Sequence, residues 1–245
     1  MTQLQLRGKL LICLPAFGRV VQADTTASLV RLSGLLALNG IEPVFTTHSY
    51  PNIADLRNQM LTLWYDRITD ASHCLMVDAD MAFEPELVLD MLALDEQLVG
   101  CLYPKKTYPI SYAGRLLDEA PTARDGFLEV LSIGFGVTLI RRDCVDAMLA
   151  SGAAASDPRI DAFTYGPMLR QWGVSRLIRA FDEIETEQGR MTEDYAFCKR
   201  HRDSGGKVFA AAHHRITHVG PHGYSGCFAE TAQTQPAPFS FQWTA

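Results

Sequence analysis

The segment His73–Pro85, HCLMVDADMAFEP, sets Asp78 and Asp80 one residue apart at the end of an apolar run. Along an extended chain, residues i and i+2 share a face, so both carboxylates are expected to converge on one point. Two like charges there are costly unless a cation or hydrogen-bond donors hold them. A divalent metal carrying a diphosphate meets that need, with hard oxygen ligands, open positions for phosphate oxygens and neutralised charge. The alternative is a solvated strand-end loop, since short acidic pairs are common.

Further along, MTEDYAFCKRH places Glu193 and Asp194 at a helix start behind a polar, acidic loop. Asp194 there is either a general base for an acceptor hydroxyl or, with Thr192, a cap for free backbone N–H groups. The helix dipole favours a carboxylate at that end, which predicts an ionised Asp194, ready as a base but a weak one. His213, His214, His218 and His222 fall within ten residues. His218, in THVGPHG, is the candidate to complete a metal shell begun by carboxylates, because a neutral imidazole is a metal ligand. Lys105-Lys106 and the run from Lys199 to Arg202 are candidate phosphate contacts or solvated turns.

The whole chain bounds these readings. Its 245 residues suffice for one large domain or two small ones. It is 47% hydrophobic and 20% charged, ordinary for a soluble globular protein. A formal net charge of −6 argues against a broad polyanion-binding surface, so no nucleic-acid partner is expected. The six cysteines (Cys13, Cys74, Cys101, Cys144, Cys198 and Cys227) include no CxxC pair, and four lie in apolar runs. Reduced thiols acting as small hydrophobes, in a cytoplasmic location, fit that usage. Arg7 and Lys9 before LLICLPAF imitate a signal peptide, but Pro15 and Arg19 interrupt it, and the stretch reads as a first buried strand. No run approaches the roughly 20 apolar residues of a membrane span.

The elements that must position these groups follow an alternating order. Residues 9–17 read as a strand, 24–39 as a helix capped by Asp24 and ended by Gly40, and 41–48 as a second strand. Helical spacing of Ile53, Leu56, Met60, Leu63, Trp64 and Ile68 predicts a helix over 53–69. HCLMVD is a third strand, 85–94 a helix with Pro85 in its first turn, and 97–103 a fourth strand. Such alternation predicts a mostly parallel sheet covered on both faces, with ligands beyond the carboxyl ends of its strands. After Tyr103 the spacing predicts strands over 110–117 and 127–140, a short helix over 143–149 and a loop-like 151–175. A helix over 194–203, closed by Gly205-Gly206, then precedes KVFAAA as the last strand. The tail from Thr231 reads as loosely held.

An apolar strand ending in DAD, then F-x-P and a helix, then TED opening a later helix, then H-x-G, resembles the GT-A glycosyltransferases of the family-2-like branch, over about residues 9 to 222. The resemblance implies a single α/β GT-A domain, the nucleotide-diphospho-sugar transferase fold, with a Rossmann-like sheet flanked by helices. It would span 1–230, with a nucleotide-binding half over 1–104, an acceptor and catalytic half over 105–230, and a tail over 231–245. It implies a metal-dependent enzyme moving a sugar from a UDP- or GDP-sugar to a hydroxyl acceptor, a glycan or glycoconjugate. Mn²⁺ or Mg²⁺ would sit at Asp80, Asp78 and His218, with Asp78 facing the ribose. Asp194 matches the aspartate that deprotonates the acceptor in inverting members, and Glu193 its neighbour. Pro15, Ala16 and Phe17 resemble the turn that cradles base and ribose, and Arg57, in ADLRNQM, the helix that approaches the nucleotide. Gly134 and Gly136, in IGFGVTLIRRD, resemble the stretch under the donor sugar, where glycine allows close backbone approach; a bulge or twist in a strand is the alternative. Lys106 would reach a phosphate.

Two rivals stay open. A nucleotidyltransferase also sets nucleotide and metal at strand ends, but its glycine-rich basic phosphate loop is not matched by PAFGRVVQAD. A non-catalytic nucleotide- or sugar-binding protein on the same fold is the other. Residues 150–190 offer no motif that names an acceptor.

Overall fold

The structure, a computed structural model, describes residues 8–117, 123–187 and 189–234. Strands β1 (Gly8–Pro15), β2 (Ile41–His48) and β3 (Ala71–Val77) run parallel in the order β2-β1-β3. They are joined through helices α1 (Ala23–Leu38) and α2 (Ile53–Arg67). Such crossovers cover both faces of the sheet, which is why β1 and β3 are apolar in succession rather than in alternation. Leu11, Cys13, Cys74 and Met76 pack with Leu56, Met60 and Trp64 of α2. Leu10, Ile12, Leu14, Leu75 and Val77 face the other way, onto Leu29, Leu32 and Leu36 of α1. Gly18, at φ +66°, turns the chain between β1 and α1.

The short β4 (Met81–Phe83) leads into α3 (Glu86–Leu94), β5 (Leu98–Cys101), β6 (Tyr103–Pro104) and β7 (Tyr112–Leu116). Then come β8 (Ala123–Arg124), β9 (Phe127–Ile133), β10 (Val137–Arg141) and α4 (Arg142–Ser151). The apolar run 127–140 is therefore two strands. It breaks at Gly134-Phe135-Gly136, where the chain leaves β9 and enters the middle of the sheet as β10, antiparallel between β3 and β5. Helix α6 (Glu193–Asp203) packs Phe197 and Cys198 on the α2 face, and β15 (Val208–Ala211) pairs parallel to β5. The result is an α/β fold with a central, mostly parallel sheet in the order β2-β1-β3-β10-β5-β15-β9-β7-β6 and helices on both faces.

Several boundaries differ from the sequence expectation. Asp24 lies inside the first turn of α1 and does not cap it; the capping position is Gln22, without a side-chain bond. Residues 151–175 are not a plain loop. Strand β11 (Ala155–Asp157) pairs with β12 (Leu177–Arg179), and α5 (Gly166–Gln171) lies between them. Ile160, Tyr165, Leu169, Val174 and Leu177 form a satellite core there. A hairpin of β13 (Ile184–Thr186) and β14 (Gly189–Met191) follows. KVFAAA is not the last strand: β16 (Arg215–Val219) and β17 (Gly223–Cys227) pair with β4 in a second sheet, and α7 (Phe228–Thr234) closes the described chain. Most of the expected tail, 235–245, lies outside the described residues. All six cysteines are buried free thiols, and no helix among the described residues is long and apolar enough to cross a membrane.

Helix α2 anchors β12 and the segment after it with polar side chains where apolar ones would be expected. The Thr62 hydroxyl accepts from the Ile178 N–H (2.9 Å) and the Asn58 Oδ1 from the Phe181 N–H (2.8 Å), while Asn58 Nδ2 donates to Asp182 (2.8 Å). The helix thus supplies acceptors that a neighbouring strand would otherwise provide. Asn58→Leu should strand the Phe181 N–H and lower stability by about 1–3 kcal/mol, read as a shifted urea midpoint at unchanged m-value.

Candidate functional site

Strand β3 ends at Val77, and Asp78, Ala79 and Asp80 make the turn into β4. Backbone bonds fix that turn from three sides. The Asp78 N–H donates to the Gly136 carbonyl (2.9 Å), Gln22 N–H to Ala79 O (2.8 Å) and Val219 N–H to Asp80 O (2.7 Å). Because the chain turns here, strand alternation no longer applies, and the two carboxylates do not converge. Asp78 Oδ1 accepts from Arg57 Nη2 (2.8 Å), whereas Asp80 Oδ2 accepts from Lys106 Nζ (2.6 Å). Each aspartate has its own cation. Both still line one open cavity of about 380 Å³ beyond the carboxyl ends of β1 and β3, with Pro15, Phe17, Arg57, Glu193, Asp194 and His218.

Arg57 lies on the inner face of α2 with only 2% of its surface exposed. Its Nη1 donates to Glu193 Oε1 (2.9 Å) and to Asp194 Oδ1, its Nη2 to Asp78. The rings of Phe135 and Phe181 stand 5.6 and 6.0 Å from the guanidinium carbon. Burial alone would lower its pKa; Asp194, Asp78 and Glu193 reverse that and hold the proton more firmly than usual. Arg57 reaches the cavity, but its guanidinium is engaged by three carboxylates.

Asp194 sits in the first turn of α6, behind Thr192. Neither residue caps the helix: Thr192 makes no side-chain cap bond, and the Asp194 carboxylate accepts from Arg57 and from the Phe135 N–H (3.1 Å). The predicted ionised, weakly basic Asp194 is corrected as well. Burial raises its pKa, Arg57 and the Phe135 N–H oppose this, and the charges of Glu193 and Asp78 add to it, so the group is pushed up to about 7. One guanidinium cannot balance three neighbouring carboxylates, and a proton on Asp194 relieves the excess of negative charge. A group poised near neutrality is well matched to proton transfer.

His218 comes from β16, whose antiparallel register sets it opposite Met81, one residue after Asp80. Its Nδ1 lies 3.1 Å from the Pro104 carbonyl. A carbonyl only accepts, so Nδ1 carries the hydrogen, and Nε2 faces Asp80 Oδ2 at 3.5 Å. Burial would raise the Asp80 pKa, but His218 and Lys106 outweigh it and hold the carboxyl below its ordinary value. Among the described residues no group of three or more His, Cys, Asp and Glu side chains is arranged to hold a metal; Asp78 turns to Arg57 instead. What fits a divalent ion is the pair Asp80 and His218, a hard carboxylate oxygen beside an imidazole nitrogen whose tautomer is fixed by its carbonyl partner. Hard cations that arrive with a diphosphate need only one or two protein ligands.

The remaining candidates divide. Pro15 and Phe17 line the cavity, while Ala16 lines a second one of about 420 Å³ with Arg19, Thr47, His48 and Met168. Gly134 and Gly136 do permit close approach, but the group that comes close is Tyr103. A methyl group on Gly134 would collide with the Tyr103 hydroxyl, and one on Gly136 would lie 2.8 Å from its ring. Tyr103, which sequence reasoning missed, stacks edge-on against His218 with centroids 5.5 Å apart. The other clustered histidines lie elsewhere: His214 pairs with Asp90 (3.0 Å), His213 abuts Gly126, and His222 packs near Tyr224.

No protein-family model matches the chain, and no curated protein matches it. Among solved structures it is similar to A197 from STIV, 19% identical over 86% of each chain with a TM-score of 0.50. The fold is shared. It also aligns with Drosophila beta-1,4-galactosyltransferase 7 in complex with manganese, UDP-Gal and xylobiose, 14% identical over 93% of this chain and 79% of that one (TM-score 0.44). The inositol-1-phosphate CTP transferase of T. maritima aligns at 13% identity over 87% and 89% (TM-score 0.42).

The raised Asp194 pKa has a thermodynamic consequence of definite sign. Its folded value, about 7, lies above its ordinary 3.8, so the stability it adds is present below about pH 4 and lost as the pH rises through about 7. The stability difference, wild type minus Asp194→Asn, should therefore fall between about pH 5 and about pH 8. Chemical denaturation at both pH values checks this; a difference that stays level or rises refutes it.

Proposed function

We propose that this chain is a metal-dependent glycosyltransferase that moves a sugar from a nucleotide-diphosphate sugar to a hydroxyl acceptor, with inversion. The observation that carries the reading is the meeting of two units on one cavity at the strand ends: Asp80 with His218, and Asp194 with Glu193 on Arg57. The motif order DAD, TED and H-x-G supports it, because the fold brings those three segments together.

The charge balance argues for the donor class. Asp78, Asp80, Glu193 and Asp194 face two cationic side chains, Arg57 and Lys106, so a free diphosphate is repelled unless it arrives with a counter-ion. Asp80 and His218 would hold a divalent ion, Mn²⁺ or Mg²⁺, which when bound supplies charge neutralisation for the departing diphosphate. Lys106 lies within reach of the same phosphates. The Pro15–Phe17 segment, whose residues line both cavities, would take the nucleoside end of a UDP- or GDP-sugar. Asp194 accepts the acceptor proton as the hydroxyl oxygen attacks the anomeric carbon and the bond to the diphosphate oxygen breaks. Arg57, itself bonded to Glu193, and the Phe135 N–H hold its carboxylate in place. The acceptor is a glycan or glycoconjugate.

Metal and nucleotide should bind as one ligand. Mn²⁺ with UDP or GDP should raise the melting temperature more than the sum of either alone, by linkage of binding to folding, and Asp80→Ala should remove the joint effect while leaving the apo melting point in place. Equal nucleotide binding in EDTA refutes the metal role. With a donor and acceptor found by screening nucleotide-sugars, Asp194→Asn should lower turnover by roughly a hundredfold to ten-thousandfold at unchanged donor affinity. Full transfer activity in that variant refutes the base. Release of pyrophosphate rather than nucleoside diphosphate identifies a nucleotidyltransferase instead.

A further inference from the structure

The Lys106 ammonium donates to Asp80 Oδ2, the same carboxylate oxygen that faces His218 Nε2. Lys106 belongs to the connection between β6 and β7, which is closed on itself by Lys105 N–H to Ser111 O (2.7 Å) and Thr107 N–H to Lys105 O (2.8 Å). Its stem passes over Gly220, whose missing side chain leaves room for the lysine's methylenes. The ion pair is partly solvated, with about a third of each side chain exposed. By contrast, Asp78 is tied to the buried Arg57.

We propose that Lys106 is a resident counter-cation for Asp80 that gives way to a divalent ion arriving with a diphosphate, and that its released ammonium then pairs with that diphosphate. The proposal rests on the glycosyltransferase reading of the site and deepens it. A lysine suits the exchange because its charge is compact, on a flexible stem and strongly hydrated, with no fork to lock it onto the carboxylate. A partly exposed pair of this kind is weak enough to be displaced. Lys106 thereby couples the two ligands: it opposes a metal that comes alone and rewards one that brings phosphate.

Titration with Mn²⁺ monitored by electron paramagnetic resonance tests this without any turnover. Lys106→Met, which keeps the stem over Gly220, should bind Mn²⁺ alone more tightly than the wild type by up to about fivefold, the upper range for loss of an exposed ion pair. In saturating Mn²⁺ the same variant should bind UDP or GDP more weakly than the wild type. Equal or weaker binding of Mn²⁺ alone by Lys106→Met, while Mn²⁺ with UDP or GDP still binds the wild type and not Asp80→Ala, overturns the exchange and leaves the glycosyltransferase reading standing. If Mn²⁺ with either nucleotide binds the wild type no better than Asp80→Ala, the metal reading falls, and the exchange with it.

Discussion

A buried guanidinium sets the terms for everything around it. Arg57 enters the core from α2, and an unpaired charge there would cost several kcal/mol. Its partners come from separate places in the chain: Asp78 from the turn after β3, Glu193 and Asp194 from the start of α6. Each of these segments is therefore held to α2 by the same cation. The fork of an arginine is needed, since one nitrogen serves Glu193 and Asp194 while the other serves Asp78, a division that a lysine's single point charge cannot make. Phe135 and Phe181 then wall the group from water, and Asn58, the next residue along α2, fixes the Phe181 backbone. The same arrangement raises Asp194. Three carboxylates on one cation leave an excess of negative charge, and a proton on Asp194 relieves it.

What the sequence made legible was whatever had a period or a fixed spacing. The helix over 53–69 and the strand over 41–48 were readable because long apolar patterns repeat along them, and the structure has both, at Ile53–Arg67 and Ile41–His48. The three-residue strands β11, β12, β13 and β14 carry no period, so the satellite core around Tyr165 and Leu169 was invisible. The second sheet was missed for a related reason: β16 and β17 have five residues each and no clear alternation, and the stretch drew notice only for its histidines. His218 was singled out as a candidate metal ligand, and it lines the cavity, yet the register that delivers it to Asp80 belongs to a pairing with β4 that no local pattern announces.

Side-chain direction was the least legible property. Asp78 and Asp80 were expected on one face because strand alternation was carried past Val77 into a turn. Gly134 and Gly136 were taken as places where the backbone comes close to a donor sugar, but sequence cannot say what approaches, and the group found against them is the ring of Tyr103. That ring in turn supports His218. The protonation of Asp194 was argued from the helix dipole, a surface effect that fades once a carboxylate is enclosed beside two others.

The separation of Asp78 from Asp80 divides the cavity into a rigid half and an adjustable one. Asp78 is tied to a guanidinium with 2% exposure, so it cannot move without unsettling Glu193 and Asp194 as well. Asp80 is tied to a partly solvated lysine and an imidazole, each replaceable at low cost. A proton-accepting carboxylate benefits from fixed geometry, because misplacement of about 1 Å can cost about a hundredfold in rate. A site that must admit and release a charged ligand on every cycle benefits from the opposite. The two aspartates of the DAD turn, one residue apart and adjacent in the cavity wall, therefore differ in how firmly each is held. On the proposed function, Asp78 belongs with the scaffold of the base, and Asp80 with the traffic of charge.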